Sequence, residues 1–271
     1  MNIYYQWHEW AYSHKVWLET AKKYNLKEKQ IIWLFSFKDM FDKVVENNWI
    51  WIVPIENSYA GSVHENFYHL VSYDVEIIWE YYLDINHCIA STWNNLSKIK
   101  TAYSHYQALM QCEQYLKKHN IKPHIFWDTA WSAKYIKEKN NPEIAAISSE
   151  FAAEIYGLNI LEKNINDQKW NTTRFFIVVP KKVNLESFSQ NNKISLVFKV
   201  KNMPAVLYKC LWAFATRNID LTRIESLPTK ENKFEYMFWI DFIKPNNKKD
   251  LQETLNELSF FAKDIKILWE Y

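Results

Sequence analysis

Apolar residues along the chain alternate between short runs at strand spacing and longer stretches at helical spacing. A strand over Asn2–Tyr5 leads through a loop to a helix from Ser13 to about Tyr24. Ser36 with Asp39 three residues later marks a second helix start, and Phe37, Met40, Phe41, Val44 and Val45 follow at helical spacing. Ile50–Val53 reads as a buried strand that ends at Pro54 and empties into Ile55-Glu56-Asn57-Ser58-Tyr59-Ala60-Gly61-Ser62. Open α/β sheets place ligands at such strand ends, although an ordinary surface loop has the same composition. Val75–Leu83 and Asn86–Ala90 read as strands of a crossover between two lobes.

Lys100–Tyr103 is a further strand, delivering Ser104-His105-Tyr106-Gln107 to a helix that runs to Lys118 and carries Gln111 one turn beyond Gln107. A hydroxyl and two amides aimed at one spot suit a neutral polar pocket; Ser104 alone also suits an N-cap. Asp128-Thr129-Ala130-Trp131-Ser132-Ala133 repeats the pattern: a strand, then hydroxyls at a helix N-terminus, where backbone N–H groups attract anions. Strand Ile144–Ser148 and helix Glu150–Tyr156, closed by Gly157, complete the alternation. Residues 1–180 therefore predict an α/β architecture in two lobes.

The polar stretch Lys181–Asn192 reads as a linker. Beyond it come strands Ile194–Val200, Asp220–Ser226, Phe234–Phe242 and Ile265–Trp269, with helices from Pro204 to about Arg217 and from Lys248 to Ala262. This βαββαβ series is the split-βαβ, ferredoxin-like pattern. The expected division is residues 1–180, a linker over 181–192, and a second domain over 193–271.

At 271 residues the chain is long for one domain and comfortable for two, and 48% apolar residues suffice for real cores. A net charge of +2 gives no electrostatic reason to expect nucleic acid or an anionic membrane as partner. The opening Met1-Asn2-Ile3-Tyr4-Tyr5 lacks the features of a signal peptide, and no apolar run reaches membrane-spanning length. Cys88, Cys112 and Cys210 lie far apart in apolar stretches, as buried thiols of a reducing cytoplasm do. His64 and His69 are five residues apart, so they do not share a helix face and no metal is expected there.

One compositional feature is abnormal. Glycine at its usual frequency of about 7% would supply roughly 19 residues, yet only Gly61 and Gly157 are present, beside 14 tryptophans. Several Trp sit where turn chemistry asks for Gly, as in Gln6-Trp7-His8-Glu9-Trp10-Ala11 and Lys169-Trp170-Asn171. With a composition rich in Lys, Asn and Ile, as AT-rich coding produces, this pattern fits a gene that reads UGA as glycine, rendered with a table that reads it as tryptophan.

The densest chemistry is Asn171-Thr172-Thr173-Arg174-Phe175, which packs an amide, two hydroxyls and a guanidinium ahead of the apolar strand Phe176–Val179. A guanidinium clamps a carboxylate bidentately, and a hydroxyl beside it donates or passes a proton. A solvated Arg at a strand start is the plainer reading of the same residues.

Taken together, Tyr5-Gln6, Ala11-Tyr12-Ser13-His14, Pro54-Ile55-Glu56-Asn57-Ser58, Tyr103-Ser104-His105, Asp128-Thr129-Ala130 and Thr173-Arg174-Phe175 resemble the successive motifs of the prephenate dehydratase family. Pro204-Ala205-Val206-Leu207 and Glu225-Ser226 with Pro228 resemble the signature of that family's C-terminal ACT regulatory domain. The resemblance covers the whole chain. It implies a two-lobed, periplasmic-binding-protein-like catalytic domain joined to a ferredoxin-like ACT domain, in a cytoplasmic homodimer or homotetramer. The implied reaction is the decarboxylating dehydration of prephenate to phenylpyruvate in phenylalanine biosynthesis, without metal or cofactor and with L-phenylalanine as allosteric effector.

Carried over by residue, the resemblance implies Thr173 as the central catalytic hydroxyl, with Asn57, Ser104 and Gln111 at further catalytic positions. It implies Arg174 as anchor of a substrate carboxylate, with Ser58, Gly61, Ser62, Thr129 and Ser132 lining the same cleft. Ala205, Val206, Leu207, Glu225 and Ser226 become the phenylalanine site. The sequence departs from the family at Tyr106 (usually Pro), Leu227 (Arg), Ala205 (Gly), and at Trp7, Trp10, Trp79, Trp93, Trp131 and Trp269 (all Gly). Arogenate as substrate, or a non-catalytic two-lobed binder with an amino-acid sensor, are the alternatives.

Overall fold

A computed structural model describes residues 3–6, 12–24, 31–34, 36–47, 49–182, 192–229 and 235–271. The chain divides into two compact units, Met1–Asp74 with Glu80–Lys182, and Val75–Trp79 with Val183–Tyr271.

The first unit is built on two sheets. One contains β1 (Ile3–Gln6), β2 (Ile31–Leu34), β3 (Ile50–Asn57), β4 (Gly61–Ser62), β5 (Val75–Asp84, of which Val75–Trp79 is counted with the second unit) and β11 (Thr172–Pro180), in the order β2-β1-β3-β11-β5 with β4 beside β3. β1 runs parallel to β2 and β3, and β11 antiparallel to β3. Helices α1 (Tyr12–Tyr24), α2 (Phe37–Asn47) and α3 (His64–Ser72) accompany it. The Ser36 hydroxyl accepts from Asp39 N at 3.0 Å, the predicted helix start. Val16, Trp17, Phe41, Trp51, Phe67 and Phe176 are fully buried, with Phe41 edge-on to Trp51.

β3 does not stop at Pro54; it continues to Asn57. Proline removes a ladder donor and is tolerated inside a sheet at bulges. Here the pairing shifts register between Arg174 and Phe175, directly opposite Pro54. The extension carries Asn57 to the strand's carboxyl end.

The second sheet contains β6 (Cys88–Ser91), β7 (Thr101–Ser104), β8 (Lys122–Ile125), β9 (Ile144–Ser148) and β10 (Asn159–Glu162), ordered β10-β6-β9-β7-β8. A single 3-10 turn, Leu96–Lys98, precedes β7. Around the sheet lie α4 (Tyr106–Gln111), α5 (Glu113–Lys118), α6 (Thr129–Lys139) and α7 (Glu150–Ile155). The single helix expected to Lys118 is broken at Cys112, whose φ of −122° is not helical. Gly157 closes α7 with φ of 61°, a left-handed conformation suited to glycine. Of the two edge strands, β8, the strand expected ahead of Asp128, is exposed at every position, while β10 packs half-buried Leu161 and Ile160 against the cores on either side.

The second unit is βαββαβ: β12 (Lys193–Val200), α8 (Val206–Ala215), β13 (Leu221–Pro228), β14 (Tyr236–Ile243), α9 (Lys248–Phe261) and β15 (Ala262–Glu270). The antiparallel order β13-β14-β12-β15 places its first and third strands side by side in the centre, the ferredoxin-like arrangement. Ile194, Leu196, Phe198, Phe214, Phe242 and Leu258 form its core. Pro204 is not in the first turn of α8, which starts at Val206 after Ala205 with φ of 56°.

Trp7 and Trp10 lie outside the described residues. Trp79, Trp93, Trp131 and Trp269 all have ordinary negative φ, so a need for left-handed backbone does not account for glycine at these four. Trp93 is half exposed, whereas Trp269 is buried against Trp239 and donates from Nε1 to the Val75 carbonyl at 2.7 Å. All three cysteines are buried and unpaired. Among the described residues no side-chain group is placed to hold a metal, and no helix is long and apolar enough to cross a membrane.

Candidate active site

A cleft of about 330 Å³ opens in the first unit, where the carboxyl end of β3 meets the start of β11 and the N-termini of α4 and α6. Its construction follows from strand register. Thr173 and Asn57 are paired residues on antiparallel neighbours, so their side chains share a face. Asn57 Oδ1 accepts from the backbone N–H groups of Tyr59 (3.0 Å) and Ala60 (2.8 Å), which fixes its amide orientation. Its Nδ2 must then donate, and it does so to Thr173 Oγ1 at 2.9 Å and Asn171 Oδ1 at 2.6 Å. Asn171 Nδ2 in turn donates to Gln111 Oε1 at 2.7 Å. His87 Nε2 lies 2.8 Å from the same Gln111 oxygen, and Tyr12 Oη lies 3.0 Å from His87 Nδ1.

Thr173 is poised as a donor. Its oxygen already accepts from Asn57, and among the described residues it makes no donor contact. The hydroxyl lines the cleft, so its proton is available to whatever the cleft holds.

Asn57, Gly61, Ser62, Gln111, Thr129 and Thr173 all line this cleft. Four expected residues do not. Arg174 follows Thr173 on a strand and faces the opposite side, where its Nε and Nη2 lie 2.9 and 2.8 Å from Glu80 Oε2 and its guanidinium stacks over Phe176. It is 5% exposed and serves the protein's own carboxylate, which corrects its assignment as substrate anchor. Ser104 is fully buried at the end of β7 and donates to the Ile147 carbonyl at 2.6 Å; His105 takes the N-cap of α4 instead. Ser132, one turn into α6, is also fully buried and donates back to the Asp128 carbonyl at 2.7 Å. Ser58 lies outside the cleft and ties the strands together, its hydroxyl accepting from Thr172 N at 2.9 Å. The Trp131 ring does not line the cleft either.

No Lys or Arg is among the described cleft-lining residues, while Glu56 and Asp128 are. Asp128 caps α6, accepting from Ala130 N (2.8 Å) and Trp131 N (2.9 Å), so two of that helix's free N–H groups are already taken. Burial holds the His105 imidazole below its ordinary pKa and drives that of His87 down to about 4, so both are neutral near pH 7. Burial likewise raises the Tyr12 phenol well above its ordinary value, keeping it protonated. A ligand in this cleft is met chiefly by neutral donors.

The residues expected at the phenylalanine site lie in the second unit. Ala205 precedes α8, Val206 and Leu207 open it, and Glu225 and Ser226 lie on β13. Glu225 accepts from Arg223 Nη2 at 2.8 Å, Ser226 is exposed, and Leu227 is fully buried.

His87 and Tyr12 were not among the expected site residues. A lone His inside the apolar stretch Ile85–Ala90 reads as an ordinary core residue. The available signal was Tyr12 within Ala11-Tyr12-Ser13-His14, which has no partner along the sequence.

A model of the family described as prephenate dehydratase matches residues 3–183. A prephenate dehydratase of Methanocaldococcus jannaschii is 43% identical over 238 residues, covering 87% of this chain and 85% of the relative. The chloroplastic arogenate dehydratase/prephenate dehydratase 2 of Arabidopsis thaliana is 36% identical across 81% of this chain and 60% of its own length. A solved prephenate dehydratase from Arthrobacter aurescens in complex with L-Phe superposes with a TM-score of 0.84 over 100% of this chain and 90% of its own, at 24% identity, and shows the fold. The chain belongs to the prephenate dehydratase family, carbon–oxygen lyases that convert prephenate to phenylpyruvate.

Proposed function

We propose that the cleft carries out this reaction with Thr173 as the group that assists departure of the hydroxyl. Prephenate loses its ring carboxylate as CO2; that electron pair enters the ring, the opposite C–O bond breaks, and hydroxide leaves as water after taking a proton. Aromatisation supplies much of the driving force. The enzyme's task is to hold the substrate and to stabilise or protonate the leaving oxygen, and general-acid help of this kind contributes about 10²–10⁴ in rate. The observation that carries this reading is the Asn57–Thr173 bond, which leaves the Thr173 proton for the cleft. Asn57 and Gln111 complete the catalytic set, and Gly61, Ser62 and Thr129 supply neutral donors for the carboxylates. Incubating the protein with prephenate and following phenylpyruvate absorbance in base tests it; product no faster than the acid-catalysed background would favour a binder without chemistry.

Arogenate is the second reading. Glu56 and Asp128 in a cleft without described Lys or Arg suit a substrate that carries an ammonium group, and the Arabidopsis relative is named for both substrates. The ratio of kcat/KM for the two substrates separates them.

The two sheets of the first unit support a two-lobed, binding-protein-like catalytic domain over 1–180, and the βαββαβ unit supports an ACT domain over 193–271 after a linker at 181–192. We assign L-phenylalanine as effector of that second domain, in a cytoplasmic homodimer or homotetramer. The Arthrobacter relative was solved with L-Phe.

A further inference from the structure

The polarity of the hydrogen bonds behind the cleft is fixed from one end. Two backbone N–H groups point Asn57 Oδ1 away from Thr173; Asn57 Nδ2 therefore donates to Asn171 Oδ1, and Asn171 Nδ2 donates to Gln111 Oε1. Gln111 must present its oxygen, not its nitrogen, on this side. His87 Nε2, 2.8 Å from that oxygen, then carries the proton, and Nδ1 of the neutral ring is left as an acceptor. Tyr12 Oη, 3.0 Å away, is the donor that Nδ1 needs; its proton is shared with the Asn86 carbonyl at 3.2 Å. His87 is 2% exposed, and its backbone is held by Asn166 Oδ1 and by Ile165 N.

With both donors on its oxygen, Gln111 has one amide group left. Among the described residues its Nε2 makes no protein hydrogen bond, and Gln111 lines the cleft. We propose that His87, locked by Tyr12 in the Nε2–H tautomer, is a positioning residue that holds Gln111 with its amide hydrogens directed at the substrate. This rests on the reading of the cleft as the reaction site. Without the His87 donor the Gln111 amide is held from one side only, and rotation about its last bond exchanges donor for acceptor at the substrate.

Two measurements test this. The first is ¹⁵N NMR of protein labelled at histidine, without substrate: His87 should show a protonated Nε2 and an unprotonated Nδ1 at pH 7. In Tyr12→Phe that preference should weaken toward a mixture of tautomers. The second is prephenate kinetics of His87→Leu and His87→Gln. Leu should lower kcat/KM by about 10²-fold, as misplacement of a catalytic group does, while Gln, whose amide can donate to Gln111, should recover most of the loss. A proton on Nδ1 in the wild type overturns the inference, as does equal impairment by Leu and Gln or no impairment by Leu. Failure of the wild type itself to turn over prephenate would instead overturn the reaction reading, while the tautomer measurement still decides the orientation of Gln111.

Discussion

Thr173 and Arg174 are neighbours in sequence and face opposite sides of β11, the threonine bonded to Asn57 in the cleft and the arginine bonded to Glu80 away from it. Successive strand side chains alternate, so a motif that reads as one chemical cluster supplies two separate functions. The threonine hydroxyl faces the cleft, and the arginine fastens β11 to β5.

Thr173→Ala should lower kcat by about 10² or more with little change in KM, because the lost proton donor acts in the transition state. The fold should survive at a cost of about 1 kcal/mol, since Asn57 Nδ2 keeps its bond to Asn171 and loses only the one to Thr173. Thr173→Ser should retain most activity. Steady-state kinetics that match the wild type in the alanine variant would remove Thr173 from the mechanism.

Arg174 now calls for a different outcome from that of a substrate anchor. Arg174→Met leaves Glu80, with a side chain 18% exposed, without this partner, and breaking such a buried pair costs about 3 kcal/mol. Denaturant midpoints should fall strongly, while KM for prephenate measured below the unfolding range should stay near the wild-type value. A large rise in KM with unchanged stability would return Arg174 to the cleft.

How much of this was legible in the sequence depended on the range of the interaction. Local periodicity revealed the strands β3, β7 and β9 and the βαββαβ pattern, and motif order pointed to Asn57, Gln111 and Thr173, which line one cleft. The strand ahead of Asp128 is β8, whereas the edge strand β10 was hidden because its four residues carry no apolar alternation. A helix start is polar whether its hydroxyl faces ligand or backbone, so the sequence alone does not separate Ser104 and Ser132, which bond to backbone carbonyls, from hydroxyls that face the cleft. The Tyr12–His87 contact joins residues 75 apart, and no local pattern encodes it.

Phenylalanine should bind the second unit and slow turnover through unequal affinity for two arrangements of the enzyme. Calorimetry should show saturable heat with L-phenylalanine, and inhibition should be relieved by substitution at Ala205 or Ser226. Absence of both heat and inhibition at saturating amino acid would mean that Leu227, whose side chain is wholly buried, and Ala205 have removed the site.

The glycine deficit has its own test. Codons 7, 10, 79, 93, 131 and 269 should read UGA, and mass spectrometry of native protein should find glycine there. Trp269 is the decisive position, because its ring is buried against Trp239 and hydrogen-bonded to Val75. If tryptophan is native, glycine at 269 leaves a cavity costing about 3 kcal/mol or more. If glycine is native, the glycine form is the more stable and soluble. UGG at these codons ends the idea.

The buried His87 also makes a prediction about acid. Its ordinary pKa of 6.5 falls to about 4 in the folded protein, because burial disfavours the imidazolium. Between these values the unfolded chain binds the proton and the folded one does not, so stability declines as pH falls from about 6.5 and the decline from this group ends below about 4. The difference amounts to about 3 kcal/mol across that window. Urea unfolding at pH 7, 6, 5 and 4 should show this slope in the wild type and a shallower one in His87→Gln, which has no proton to gain. Parallel slopes in the two proteins would mean that the folded protein leaves the His87 imidazole at its ordinary pKa of 6.5 and that burial does not hold it neutral.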